Sequence, residues 1–347
     1  MRRVFFLCAV IGAGLMPFCV PQANAAELVT LANVIDPGPN SREEPLAAEF
    51  SMDKALSFLD SASLTWQKER QCFSCHTNFA HLYARPNTKD AEDVSKVVRQ
   101  FAEDLITKRW VQNGPRWDAE VIATAAALAF NDAATTHKLH PLTKQALDRM
   151  WTVQRDDGGF TWLKCGWPPM ESDDHYGATL AAIAVGVAPE EYAKSEAAQK
   201  GMAKIREYLK ANPGPTLHHR AMVLWASTLN DGLLADADKK EIVEKLSALQ
   251  KADGGWGVAT MLEWDRADKL AQDLESSDGY GTGFVLYVLR RSGVPANDKR
   301  IERGVSWLKS HQRESGRWFT RSLNRDNKHY LTHAGTAFAV MALKEAQ

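Results

Sequence analysis

The sequence predicts an all-α chain in which six helical hairpins close into a ring. Three observations carry that reading. A short element recurs along the chain: a helical, apolar-periodic stretch ending in Gln, then a polar Gly-rich turn, then an aromatic residue. After each copy comes a second helix so rich in Ala, Gly and aliphatic residues that it is apolar on every side and must be covered all round. Tryptophan, at 11 of 347 residues, is well above the roughly 1% usual for globular chains, and several copies fall at the aromatic position of the turn.

The elements follow in order. Arg2 and Arg3, the apolar run Val4 to Val20 and the small residues Ala23-Asn24-Ala25 read as a secretory signal peptide over 1–25. Residues 26–51 form an N-terminal extension, and 52–347 the ring domain. The first turn, Gln67 to Phe73, precedes an inner helix over His76–Arg85. The second, Gln112 to Trp117, is one residue shorter and precedes Ala119–Ala134. Gln154 to Phe160 (QRDDGGF) leads to Tyr176–Val187. The fourth unit, Leu209 to Pro215, has lost both Gln and aromatic but keeps its flanking helices, the inner one being Leu217–Leu229. Gln250 to Trp256 (QKADGGW) leads to Gly281–Arg291, and Gln312 to Trp318 (QRESGRW) to His333–Leu343. Side-by-side stacking buries these inner helices; six units favour a closed ring, and an open helical solenoid is the alternative.

The Q-x-x-x-G-G-[FW] element resembles the QW repeat of squalene–hopene cyclases and the related prenyltransferase repeats, over about Met52 to Leu343. The resemblance implies an α/α toroid with a central cavity and active-site groups at one mouth. It does not carry their chemistry over: the chain has no D-x-D-D and no D-D-x-x-D, and Asp156-Asp157 and Asp173-Asp174 are doublets only.

Composition narrows the function further. The chain is 45% hydrophobic, with 42 basic and 43 acidic residues, which excludes low-complexity disorder and gives no basic excess for nucleic acid. No stretch beyond the signal peptide is long and apolar enough to span a membrane. The expected location is periplasmic or secreted. Of five cysteines, export leaves Cys72, Cys75 and Cys165.

Cys72-Phe73-Ser74-Cys75-His76 resembles a c-type haem attachment site: two thiols for the haem vinyl groups and His76 for the iron. A Cys72–Cys75 disulfide and a metal site built on Cys72, Cys75 and His76 are the alternatives. Met170 or His175 is the candidate distal ligand. Residues just before the inner helices should gather at one rim: Asp118, Glu120, His175, His218, His219, Asp278, Tyr280 and His333. The leading expectation is an exported haem c toroid protein acting in electron transfer or haem redox chemistry with a redox partner or a small ligand. The alternatives are a haem-free, squalene-cyclase-like enzyme acting on a terpenoid or polysaccharide-type substrate, with Glu171, Asp174 and Asp278 as acid/base candidates, and a non-catalytic binding module.

Overall fold

The computed structural model describes residues 29–86 and 92–347; the signal-peptide segment lies outside them. Twelve helices alternate between an outer and an inner layer. The outer ones are α1 (Met52–Arg70), α3 (Glu92–Asp104, prolonged by a π-helical turn Leu105–Arg109 and a last turn Trp110–Asn113), α5 (Pro141–Thr152), α7 (Glu196–Ala211), α9 (Asp236–Ala248) and α11 (Lys299–Ser310). The inner ones are α2 (Asn78–Ala84), α4 (Asp118–Ala134), α6 (Asp174–Val187), α8 (Leu217–Ser227), α10 (Gly279–Arg291) and α12 (Tyr330–Glu345). The inner helices pack in the order α2, α4, α6, α8, α10, α12 and back to α2. The ring is therefore closed, an α/α toroid.

The turn motif explains the closure. Gln154 Nε2 donates to Gly158 O in its own turn and to Gly201 O of α7, the next outer helix, both at 3.0 Å. Gln250 repeats this toward Gly254 O (2.9 Å) and Arg300 O of α11 (2.8 Å). Gln312 reaches Gly316 O (3.0 Å) and Ser51 O at the start of α1 (2.9 Å), so the last repeat is fastened to the first. The first glycine of the two Gly-Gly pairs and the single glycine of the last turn have positive φ, 88° at Gly158, 96° at Gly254 and 94° at Gly316. At Gly316 a Cβ would also sit 2.2 Å from Lys54 O, so both conformation and contact demand glycine there. The aromatic then turns inward: Trp256 and Trp318 are fully buried, and each indole N–H donates, at 2.7 Å, to a carbonyl in the last turn of its own outer helix, Leu246 O and Leu308 O.

The lumen is filled by aromatic side chains. Trp225 meets Phe130 (ring centroids 5.9 Å apart) and Phe338 (6.0 Å), and Phe284 meets Phe338 at 5.2 Å. The mouth at the N-terminal ends of the inner helices is roofed by the long connections 161–173, 257–278 and 319–329. Tyr330 Oη donates to Pro168 O at 2.9 Å, Asn324 bonds Gly166 O, and Gln272 Nε2 bridges Trp264 O and Leu323 O. The segment 29–51 crosses the same face. There Arg317 donates to the carbonyls of Pro37, Gly38 and Pro39 and pairs with Glu44 at 3.0 Å.

The ring-closing bonds have a measurable weight. Gln312→Ala removes both, together with the bond its Oε1 accepts from Ser51 N at 2.8 Å, and leaves the Ser51 amide and Gly316 O without these partners, so urea unfolding should show a loss of about 1–3 kcal/mol. The exposed Gln112, replaced by Ala, should change stability by less than about 0.5 kcal/mol. Equal effects at the two positions would contradict the closure role.

Candidate functional site

Under the roof of the N-terminal mouth, two sequence features meet. The first repeat carries Cys in the slot that holds glycine elsewhere, and its turn runs directly into α2, which sets Cys75 and His76 against the lumen. The connection 161–173 folds back on itself through a bridge between Trp167 and Glu171 and brings the Glu171 carboxyl onto them. Glu171 Oε1 accepts from the Cys75 thiol at 3.6 Å and stands 3.7 Å from His76 Nε2. The thiol of Cys165, from the same connection, lies near the same carboxyl and helps to lower its pKa.

Burial dominates the electrostatics of this cluster. It raises Glu171 above the usual carboxylate range, the bonds from Cys165 and Cys75 opposing it only in part. Burial and the neighbouring Glu171 push Cys75 well above the ordinary thiol range. Burial, helped by His329, lowers His76 to about 3, so its ring is neutral. His76 Nδ1 lies 2.7 Å from Thr77 Oγ1, which reaches His333 Nδ1 at 3.0 Å. The His76 ring is boxed by Trp66 (5.1 Å), Tyr330 (5.7 Å) and Trp167 (5.8 Å).

The expectation of haem at His76 meets this box. The ring is 1% exposed, aromatic side chains pack around it, and one nitrogen faces Glu171 while the other bonds Thr77. The residues as arranged do not fit a macrocycle, because an iron on Nε2 would take the place of the Glu171 carboxyl. Neither proposed distal ligand takes up that position. Met170 is buried in the core, its carbonyl accepting the Trp162 indole N–H at 2.6 Å. His175 faces Thr179 and His219. Among the described residues, no group of three or more His, Cys, Asp or Glu is placed to hold a metal ion. Cys72 is half-buried, with Arg116 Nη1 3.8 Å from its sulfur.

The open rim of acids and imidazoles is also corrected, because its members are engaged in structure, His175 through one ring nitrogen only. Asp118 accepts from Thr161 N at 3.3 Å, and Glu120 is buried under Arg109 and the Trp110 indole. His218 Nε2 pairs with Tyr280 Oη at 2.9 Å and stacks on Phe284 in the core. Among the acid candidates, Asp174 is paired with Arg155 (2.7 Å) and Lys164 (3.3 Å); burial would raise it, but these bonds and the Trp162 N–H hold it low. Burial raises Asp278 to about 6, yet its oxygens are taken by the amides of Gly281 and Val258 and the hydroxyl of Thr320. Glu171 alone of the three has a carboxyl raised by burial and bound only by thiols. Trp66 and Tyr330 had no marking in the sequence, and Cys165 was marked only as a remaining thiol, since its connection and Tyr330 reach this point from parts of the chain far from His76.

No protein-family profile and no curated protein sequence matches the chain. Solved structures do. An α-1,6-mannanase of Salegentibacter sp., an inactive variant in complex with α-1,6-mannotriose, is 12% identical, covering 85% of this chain and 98% of its own, with a TM-score of 0.54. The ent-copalyl diphosphate synthase from Streptomyces platensis is 17% identical over 78% of this chain, with a TM-score of 0.49; this chain spans about half of its length, 50%. A type II terpene cyclase from Scytonema with geranylgeranyl dihydroxybenzoate is 12% identical over 85% of this chain and 99% of its own, with a TM-score of 0.49. At these identities the likeness shows the fold.

The neutral histidines set the sign of the pH dependence. His76 at about 3, His175 at about 4, and His218 and His333 held well below 6.5 stay unprotonated in the fold but protonate on unfolding below about 6.5. The unfolding free energy should therefore fall as pH drops from 7 to 5, each such histidine contributing up to about 1.4 kcal/mol per pH unit. Stability that is flat or rises over that interval would contradict the assignment. Maleimide labelling should proceed in the order Cys165, Cys72, Cys75, following their exposed, half-buried and buried positions. Early labelling of Cys75 would contradict it.

Proposed function

We propose that the chain is a haem-free toroid enzyme in which Glu171 donates a proton to a terpenoid-type olefin at the N-terminal mouth. One observation carries the reading: a lone carboxyl raised by burial, with neutral thiols for hydrogen-bond partners and aromatic rings close by. A carboxylic acid in such a site keeps its proton to higher pH than a free side chain, which suits it as a general acid. The rings of Trp66, Trp167 and Tyr330 offer π-faces to cationic charge that develops after protonation once the mouth opens; in the closed state Arg70 lies over Trp66 at 5.8 Å and Lys328 over Trp167 at 5.2 Å. Glycoside hydrolysis, the activity named for the mannanase, ordinarily requires a pair of carboxyl groups flanking one bond. Here the neighbouring acids Asp173 and Asp174 are held by His219 and by Arg155 with Lys164, so the polysaccharide reading has one acid and no partner for it. Admission of substrate requires the connection 161–173 to lift, parting Trp167 from Tyr330, on which it stacks at 5.3 Å.

The test uses the exported chain produced with haem-maturation machinery. Expected are no Soret band, no haem-sized mass gain, and turnover of a linear polyprene such as squalene that is lost at least a hundredfold in Glu171→Gln with the circular dichroism unchanged. Activity should be retained at low pH and fall as pH rises through the raised Glu171 pKa. A covalent haem, release of reducing ends from α-mannan in place of polyprene turnover, or full activity in Glu171→Gln would overturn the proposal.

A further inference from the structure

The fourth repeat breaks the pattern that holds the others together. Its turn reads Asn212-Pro213-Gly214-Pro215, with no Gln to reach the next outer helix and no aromatic to fill the space that Phe160, Trp256 and Trp318 fill, fully buried, in their repeats. The packing shows the consequence. While α1 and α3 each sit across two inner helices, α7 packs chiefly on α6 and α9 chiefly on α8. Between them lies a cleft of about 870 Å³, within the range of small-molecule sites, floored by Leu209, Val223, Leu234 and Ile242.

His175 stands at the base of this cleft. It is 6% exposed, and its Nε2 is buried without a hydrogen-bond partner. Gly214, which also lines the cleft, leaves the space beside it: a Cβ there would come within 3.3 Å of Nε2 and 2.7 Å of His219 Cβ. The other ring nitrogen fixes the tautomer. Thr179 Oγ1 donates its proton to His175 O at 2.9 Å, so toward Nδ1, 3.5 Å away, it can only accept. Nδ1 thus carries the hydrogen and Nε2 a lone pair. Burial and the adjacent His219 lower the ring to about 4, which keeps that lone pair free at neutral pH. An unpartnered acceptor at the base of an apolar cleft calls for a ligand that brings a donor. The rim carries Arg206, Lys210 and Arg220 against Glu207 and Asp238, with Arg220 paired to Glu241 at 3.0 Å; a rim with no excess of negative charge gives an ammonium nothing to balance it, and a hydroxyl is the simplest neutral donor.

We infer that the cleft of the fourth repeat is a second ligand site, separate from the mouth, for a small molecule with an apolar body and one hydroxyl, an alkylphenol or a long-chain alcohol, whose O–H donates to His175 Nε2. The site rests on the missing turn motif and on His175, and it stands whether or not Glu171 is an acid catalyst.

The full mature chain is titrated by calorimetry with 4-hexylphenol, with its methyl ether and with 4-hexylbenzylamine, and the His175 ring nitrogens are followed by ¹⁵N resonance. The phenol should bind at least tenfold more tightly than the ether, about 1.4 kcal/mol, and more tightly than the amine, and it should shift Nε2 while leaving Nδ1 protonated. His175→Phe should abolish the preference for phenol over ether, and Glu171→Gln should leave it intact. Equal binding of phenol and ether by the unmodified chain, no binding of the phenol, tighter binding of the amine, or a preference that survives in His175→Phe would each overturn the inference. The phenol–ether comparison needs no variant to fold.

Discussion

Everything in this molecule hangs on a side-chain amide that bonds two backbone carbonyls at once, one in its own turn and one on the neighbouring outer helix. Six hairpins of apolar inner helices have no covalent reason to close. Gln154, Gln250 and Gln312 supply one, each joining its turn to the next outer helix, and Gln312 joins the end of the chain to the start of α1. The adjacent glycine lets the turn approach that helix, and the aromatic fills the space behind it. Gln, Gly and aromatic thus act together, and a change at any one of them exposes polar or apolar groups that the other two cannot cover.

Two of the repeats that lack this fastening are the places with chemistry. In the first repeat cysteine replaces glycine, and the turn becomes the floor of a buried cluster of thiol, imidazole and carboxyl groups. In the fourth the motif is lost, and a cleft opens with an unpartnered imidazole at its base. The regular repeats provide rigidity, and the irregular ones provide room. The mouth is roofed as well, by three interlocked connections and the N-terminal segment, which is why most of its polar groups are engaged; of its two raised carboxyls Asp278 is held by amides and a hydroxyl, and Glu171 is not.

Much of the fold could be read along the chain because its signals are local and repeated. The inner helices expected over Ala119–Ala134, Tyr176–Val187 and Gly281–Arg291 lie within one or two residues of α4, α6 and α10, since an all-apolar run between turn residues has few other ways to be buried. The site was legible only in fragments. Cys75, His76 and Glu171 were each singled out, but for different chemistries, because nothing local says that a connection starting after Phe160 will fold back onto the first repeat. The rim histidines misled for the same reason: their position before the inner helices is local, while their engagement by Tyr280, Thr77 and Asp173 is tertiary.

The central claim, that ring and roof together hold Glu171 as a buried acid, is tested most directly by titrating that one carboxyl. Isotope-edited infrared difference spectra between the unmodified chain and Glu171→Gln would follow its protonated carbonyl band with pH. The account predicts a midpoint above 4.5, the ordinary glutamate value; a midpoint at or below it would contradict the account.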